Sequence, residues 1–455
     1  MKKGKRIAVI GGGISGLSAA YWLRKEGFSV SVFEKAGQVG GSIVTQKQDG
    51  YLIDLGPNSA LETSEVLREL ILEIGLEQQK VYGNQASNNR YVVRNSQLHP
   101  IPTSPGKFLR TRLFSTKAKL RLFKEPFIKP TGGKDISLAD FVRYRLGEEF
   151  LNYAINPFVA GVYAGDPESL STKAAFPKLY ALEQQYGSFI KGAIKGARER
   201  KKRQEVSKDR AKLFSFIDGM QIFPDTLAAK LEGNVFTQTE VSGLIKTTTG
   251  FVVRFNNAEG TQEEPFDNVV LAVPAGALNR LLTKLAPKAA EKINTIDYPP
   301  VAVVFMGFRR FDIDRDLDGF GFLVPKLENK QILGSIWSST IFPKRAPDGY
   351  AAITTFVGGT RQPQNAGLDD LHLKEIVTND LDMLMGLKGD PQLVRIHRWP
   401  RAIPQYTMGY PQIQQMFTEL EQEHKGLYFA GNIRRGIGLG DTVLAAYEAV
   451  EKILA

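Results

Sequence analysis

Residues 6–34 read R-I-A-V-I-G-G-G-I-S-G-L-S-A-A-Y-W-L-R-K-E-G-F-S-V-S-V-F-E. Arg6–Ile10 has the apolar, β-branched character of a buried strand. It runs directly into Gly11, Gly12, Gly13, Ile14, Ser15 and Gly16, and Leu17–Glu26 has the pattern of a helix. Gly27 marks a turn, Ser29–Phe33 a second strand, and Glu34 closes it 18 residues after Gly16. Strand, Gly11-x-Gly13-x-x-Gly16, helix, strand and terminal acid in register form the dinucleotide fingerprint. Gly11 permits the tight turn, Gly13 admits a pyrophosphate to the backbone, and Gly16 brings the helix close to the sheet. The helix N-terminus offers free N–H groups and a positive dipole to the phosphates. Glu34 is placed to accept ribose hydroxyls.

Working outward, Gly37-Gln38-Val39-Gly40-Gly41-Ser42 comes next, then a hairpin pattern (Ile43–Gln48 and Tyr51–Asp54) ending at Gly56-Pro57-Asn58-Ser59. Two further glycine clusters this soon suggest backbone packed around a long, flat ligand, which suits FAD better than NAD. Residues 84–105 read as short strands, Arg90–Val93 and Leu98–Ile101. Residues 106–215 are mostly helical in pattern, with candidates at Thr116–Phe123, Leu138–Leu146, Glu148–Asn156, Leu179–Gln185 and Phe189–Arg203. Phe158–Pro167 reads as a glycine loop among them. Val235–Val241, Gly243–Thr248 and Phe251–Phe255 alternate as a small antiparallel sheet. Asn268–Val273 reads as a buried parallel strand, and residues 298–360 are rich in strands. At the far end, Gly426–Ala430 is a strand, Gly431-Asn432 a turn, and Gly436, Gly438 and Gly440 a glycine-rich entry to a last helix, Thr442–Leu454, with Asp441 as its N-cap.

The chain has 455 residues, 42% hydrophobic and 24% charged, enough for two or three domains with ample core. It contains no cysteine, which excludes disulfides, thiolate metal sites, iron–sulfur clusters and a cysteinyl-flavin bond. His99, His372, His397 and His424 lack metal-ligand spacing, so no metal is expected. Lys2, Lys3, Lys5 and Arg6 precede only a short apolar run, so no signal peptide is read, and no apolar run approaches the ~18 residues of a bilayer span. These features predict a cytoplasmic chain. The net charge of +11 is uneven. Residues 107–129 and 191–212 carry +7 each, so the remainder is slightly acidic. Such stretches are solvated helical faces or a patch for anionic lipid or substrate; nucleic acid is not expected.

These residues resemble the FAD-dependent amine oxidase superfamily and, within it, the protoporphyrinogen oxidase family. The resemblance spans nearly the whole chain. It is carried by Ile7–Ser18, Gly56–Ser59, Phe158–Ser171, Glu183–Ile190, Ser338–Pro347 and Ala402-Ile403-Pro404-Gln405-Tyr406. One departure is Gly40-Gly41-Ser42, where most of the superfamily has an arginine or lysine after the glycines. The resemblance implies an α/β fold: a Rossmann-type FAD-binding domain in discontinuous segments (1–83, 214–276 and 401–455). It adds a mixed-sheet substrate domain (84–105 and 277–400) and a helical lobe (106–213) that touches membrane.

The implied reaction is oxygen-dependent, six-electron oxidation of protoporphyrinogen IX to protoporphyrin IX in heme biosynthesis, with hydrogen peroxide formed and FAD bound non-covalently. Coproporphyrinogen III oxidation on the same fold and a non-catalytic, flavin-bearing scaffold for porphyrin delivery are the alternatives. The flavin does the chemistry, so no side chain is assigned as acid or base. Expected partners are the porphyrinogen, dioxygen, a membrane surface and a heme-pathway enzyme; the oligomeric state is left open. Implied substrate contacts are Arg90 to a propionate, Asn58, Gly165 through its carbonyl to pyrrole N–H groups, and Leu333 and Thr354 against the macrocycle. Implied cofactor contacts, besides the fingerprint residues Gly11–Gly16 and Glu34, are Lys35, Gly41, Ser42, Gly56, Pro57, Asn58, Ser59, Val241, Trp399, Gly431, Ile437, Gly438 and Leu439. The N-terminus of the last helix would point at the pyrimidine end of the flavin.

Overall fold

A computed structural model describes residues 4–192, 194, 195 and 211–455. A five-stranded, all-parallel sheet runs in the order Val235–Phe236, Ser29–Phe33, Arg6–Ile10, Asn268–Leu271, Leu427–Phe429. Its strands come from three distant parts of the chain. Alternation along the central strand divides the packing. Ile7 and Val9, opposite Val30 and Val32, lie under the helices Ile14–Lys25 and Leu439–Leu454. Ala8 and Ile10 face the other way, against a three-stranded antiparallel sheet (Glu240–Lys246, Phe251–Asn257, Gly260–Phe266) through Phe251, Val253 and Phe255.

A second, mixed sheet has seven strands. Their order is Leu393–Trp399, Val301–Arg309, Tyr350–Gly358, Ile332–Trp337, Gly321–Leu323, Tyr91–Arg94, Gln97–Pro100. Met306, Ile353 and Val357 on one face pack on the helix Asp370–Met385 through Leu373, Val377 and Leu381. Val301, Val303, Leu333 and Phe356 on the opposite face meet Ala160, Ala164 and Trp399.

The helical region is organised around buried charge. Arg145 and the carboxylates of Glu125 and Glu183 have no solvent exposure. The Arg145 guanidinium reaches Glu125 at 2.9 Å and Glu183 at 3.5 Å and donates to the carbonyl of Gly187. Glu125 also accepts from the Ser188 hydroxyl and the Phe189 and Ile190 amides. Burial alone would raise the Glu125 carboxyl, but these donors outweigh it and hold its pKa below the ordinary value. The helix Leu138–Arg145 is tied to the segment beyond residue 163, since Ala139 N donates to Pro167 O and Leu138 N to Leu170 O.

Several elements differ from the sequence expectation. Phe158–Tyr163 is not loop: Asn156–Tyr163 is a helix, entered through a π-helical turn at Leu151–Ile155, and the loop begins at Ala164. Its Gly161 serves close packing, because a Cβ there would lie 2.3 Å from Leu323. Val235–Val241 splits, with Val235–Phe236 joining the parallel sheet. The last helix starts at Leu439 with Gly438 as N-cap; Asp441 lies in its first turn and is not the cap. The strand Leu393–Trp399 and the helix Tyr410–Glu423 have patterns too weak for the sequence to announce them. Most of the expected helix Phe189–Arg203 and of the basic stretch 191–212 lies outside the described residues.

Candidate functional site

The carboxyl ends of the parallel strands share one edge, where α/β sheets bind ligands at the point of strand-order reversal. Gly11, with φ of +108°, turns the chain out of the central strand, and its N–H donates to Phe33 O at 2.8 Å. Gly16 admits no side chain, because a Cβ would lie 1.9 Å from the Gly11 carbonyl oxygen. Glu34 accepts from the N–H of Gly12 at 2.6 Å and of Ala36 at 2.8 Å. This fixes the carboxylate at the strand end while leaving lone pairs for a further donor. The second glycine cluster closes on the first: Gly40 N donates to Gly12 O, and Gly13 and Gly40 form a parallel bridge. Gly41 and Ser42 beside them are exposed.

The residues present fit a dinucleotide. The Ser15 hydroxyl is buried and has no hydrogen-bond partner. A Cβ built at Gly13 would meet nothing within 4 Å, so the backbone there is approachable. The helix beginning at Ile14 is N-capped by Gly13 and the one beginning at Leu439 by Gly438, and neither has a side-chain cap. Each therefore presents uncapped N–H groups and a dipole end to an anion or an electron-rich ring. Gly431 lies just past the last parallel strand, with Asn432 and Ile433 held by Tyr406 and Tyr410: the Tyr410 hydroxyl donates to Ile433 O at 2.7 Å and that of Tyr406 to Asn432 O. Ile437 packs at the margin of the same core.

The other expected cofactor residues fall in two groups. Gly56, Pro57, Asn58 and Ser59 form a half-buried stretch joined to the seven-stranded sheet through Trp399, whose indole N–H donates to Leu55 O at 2.9 Å. Ser59 donates to the Asn58 side chain at 3.1 Å. Val241 lies at a bulge in its strand beside the main core. Lys35, by contrast, is exposed and pairs with Glu240 at 2.9 Å.

The expected substrate residues do not form one cluster. Leu333 is buried with Ala160, Ala164, Val303 and Trp399. Thr354 is 2% exposed on the same face of the sheet, its hydroxyl 3.1 Å from that of Ser338. Gly165 is buried just beyond Ala164, beside Gln405. Arg90 stands apart: it is exposed, precedes the strand Tyr91–Arg94, and lies over the Phe320 ring at 5.2 Å. Among the described residues no group of three His, Asp or Glu could hold a metal ion.

Three polar residues are not among the contacts expected from the sequence. Gln221, close to the second glycine cluster where a superfamily cation is absent, donates to Val39 O at 2.9 Å. Thr360 and Gln405 both bond the segment Tyr163–Ala164. Gln405 belongs to the Ala402–Tyr406 motif, yet nothing local in the sequence pairs it with residues more than two hundred positions away.

Residues 14–454 match the flavin containing amine oxidoreductase family. The chain is 32% identical to protoporphyrinogen oxidase 2 of Arabidopsis thaliana, covering 99% of this chain and 94% of that one. It is 31% identical to coproporphyrinogen III oxidase of Staphylococcus aureus, covering 99% of both. A crystal structure from Exiguobacterium sp. 255-15, provisionally named a protoporphyrinogen oxidase, superposes with a TM-score of 0.81 at 26% identity, covering 99% of each chain.

Proposed function

We propose a function from the premise that this chain belongs to the flavin-containing amine oxidoreductase family: it is an FAD-dependent oxidase of porphyrinogens, with protoporphyrinogen IX as substrate and protoporphyrin IX as product. One observation carries the reading: overall identity above 30% to porphyrinogen oxidases, in alignments that cover 99% of this chain. Coproporphyrinogen III is the second candidate substrate, favoured by a bacterial relative matched end to end.

When bound, FAD supplies hydride acceptance from the macrocycle and reoxidation by dioxygen. The chain's own residues bind and orient. Gly11–Gly16, with the unpartnered Ser15 hydroxyl, hold the pyrophosphate, and Glu34 takes the ribose. Lys35, Gly41, Ser42, Val241, Gly431 and Ile437 line the rest of the cofactor path. Gly438 and Leu439 open a helix whose positive end stabilises negative charge developing on the flavin. Trp399 ties Gly56–Ser59 to the sheet that carries Leu333 and Thr354, so the cofactor loop and the macrocycle face keep one spacing. Arg90, which lies over the Phe320 ring and has no carboxylate partner among the described residues, takes a substrate propionate. Pyrrole nitrogens release their own protons, so no side-chain base is required.

The division into FAD domain (1–83, 214–276, 401–455), substrate domain (84–105, 277–400) and helical lobe (106–213) belongs to this reading, as does a cytoplasmic location. Among the described residues no helix is long and apolar enough to cross a membrane. The lobe instead exposes Leu109, Leu120, Phe123 and Phe127, the last 85% accessible, among Lys107, Arg110, Lys117, Lys119, Arg121 and Lys124. Apolar residues interleaved with cations suit peripheral contact with an anionic bilayer.

The test is a side-by-side assay in air with freshly reduced protoporphyrinogen IX and coproporphyrinogen III, recording porphyrin fluorescence and peroxide. Faster turnover of protoporphyrinogen supports the reading, and preference for coproporphyrinogen selects the second substrate. Bound, reducible flavin with neither substrate oxidised sinks it.

A further inference from the structure

Gln405 is 1% exposed, and its carboxamide spans two parts of the molecule. Its Nε2 donates to Tyr163 O at 2.7 Å and to Ile403 O at 3.0 Å. Both partners are carbonyls, so the nitrogen must face them and the orientation of the amide is set. The amide oxygen is left buried and without a hydrogen bond. It lies against Gly165, where a Cβ would sit 2.2 Å from it. Ala164, between them, has left-handed backbone with φ of +51°, an unfavourable conformation for a residue with a Cβ that surrounding contacts must hold. Its carbonyl accepts from the Thr360 N–H at 2.8 Å and hydroxyl at 3.3 Å. The carbonyls of Tyr163 and Ala164 are thus occupied. Among the described residues the Gly165 carbonyl accepts no hydrogen bond.

We propose that Gln405 is a positioning residue for substrate: it clamps Tyr163–Gly165 so that, of three successive carbonyls, only that of Gly165 stays available to a pyrrole N–H of the macrocycle. The inference rests on the porphyrinogen reading above. The chemistry asks for this residue type. Leucine would leave the buried Tyr163 carbonyl and the half-buried Ile403 carbonyl unpaired, glutamate would set oxygen lone pairs against them, and asparagine is one methylene short.

The experiment uses the flavin-loaded full chain and the variants Gln405→Leu, Gln405→Glu and Gly165→Ala. Each is assayed with both porphyrinogens, alongside flavin content and peptide-resolved hydrogen exchange over residues 158–171. The expected result for Gln405→Leu and Gln405→Glu is a KM raised about tenfold, the equivalent of one lost good hydrogen bond to substrate. Their kcat changes less than about threefold, flavin content is retained, and exchange accelerates at 163–167. Gly165→Ala gives the same KM-selective loss, because its methyl displaces the amide. Combining it with Gln405→Ala, which clears that clash, gives a KM no higher than Gln405→Ala alone.

An unchanged KM in flavin-loaded Gln405→Leu overturns the proposal. So does a fall in kcat and flavin content together at unchanged KM, the signature of a merely structural role. If the Gln405 variants fail to fold, exchange and KM in Gly165→Ala decide alone. A wild-type chain that oxidises neither porphyrinogen overturns the underlying reading and this inference with it, whereas normal wild-type turnover with normal variants overturns the inference only.

Discussion

Two regions of the molecule, the Gly11–Gly16 turn and the segment around Gly165, are built on opposite principles. The Gly11–Gly16 turn works by leaving things out: no side chain at Gly13, no room for one at Gly16, no side-chain caps on the helices that begin at Ile14 and Leu439. The segment around Gly165 is held by polar side chains. Gln405 and Thr360 grip it directly, and the Arg145–Glu125–Glu183 cluster organises the helices to which Pro167 and Leu170 are bonded. The first region needs few side-chain partners because most of its polar groups are backbone. The second must satisfy every charge it buries, so its order depends on side chains far apart in sequence.

Four outcomes put this contrast to the test. The greatest loss is expected on the lobe: Arg145→Ala leaves two buried carboxylates without their cation and should destabilise by about 3–5 kcal/mol, read by urea unfolding. A loss near zero would show that the lobe is not held by its charges. Next, Gly16→Ala should cost about 1–3 kcal/mol through overpacking against Gly11, with most of the flavin lost from purified protein; a fully yellow variant would contradict the close-approach argument.

A graded effect is expected from Glu125. Its carboxyl pKa is depressed in the fold, so its contribution to stability is present above the ordinary value of 4.5 and is lost as pH falls below it through the folded pKa. Hydrogen exchange should therefore rise in 125–192 before it rises in the parallel sheet as acid is added. Simultaneous loss of both would remove the distinction.

The mildest change has the opposite sign. Gly13→Asp supplies the missing cap without a clash, since nothing lies within 4 Å of its Cβ position. The apoprotein should gain about 0.5–1 kcal/mol, while flavin affinity, measured by titration, should fall because the added carboxylate takes the anion's place. A more stable variant with unchanged affinity would argue against the phosphate site.

Legibility in the sequence divides along the same line. The fingerprint, its two strands and its helix are readable because their signals are local: β-branched runs, glycines at fixed spacing and an acid at the strand end. The last helix is readable too, but not its first turn. Gly438, not Asp441, is the cap, since glycine punctuation says where a helix begins only to within a few residues. Phe158–Tyr163 has the look of a loop because Gly161 weakens a helix locally, whereas the folded chain uses that glycine to seat the helix on Leu323.

Short-range sequence was thus enough for the strand–glycine turn–helix–strand unit at the N-terminal end, for the need for glycine at its tight points, and for the exclusion of thiol chemistry. It was enough because backbone conformation, close approach and residue inventory are properties of short stretches or of composition. Three further features exist only once the chain is folded: Trp399 bonds the carbonyl of Leu55, Arg145 is wholly buried between Glu125 and Glu183, and Gln405 reaches Tyr163. Each of those joins residues from separate elements, and a hydrogen bond depends on distance and direction in space, which no local spacing in the chain encodes.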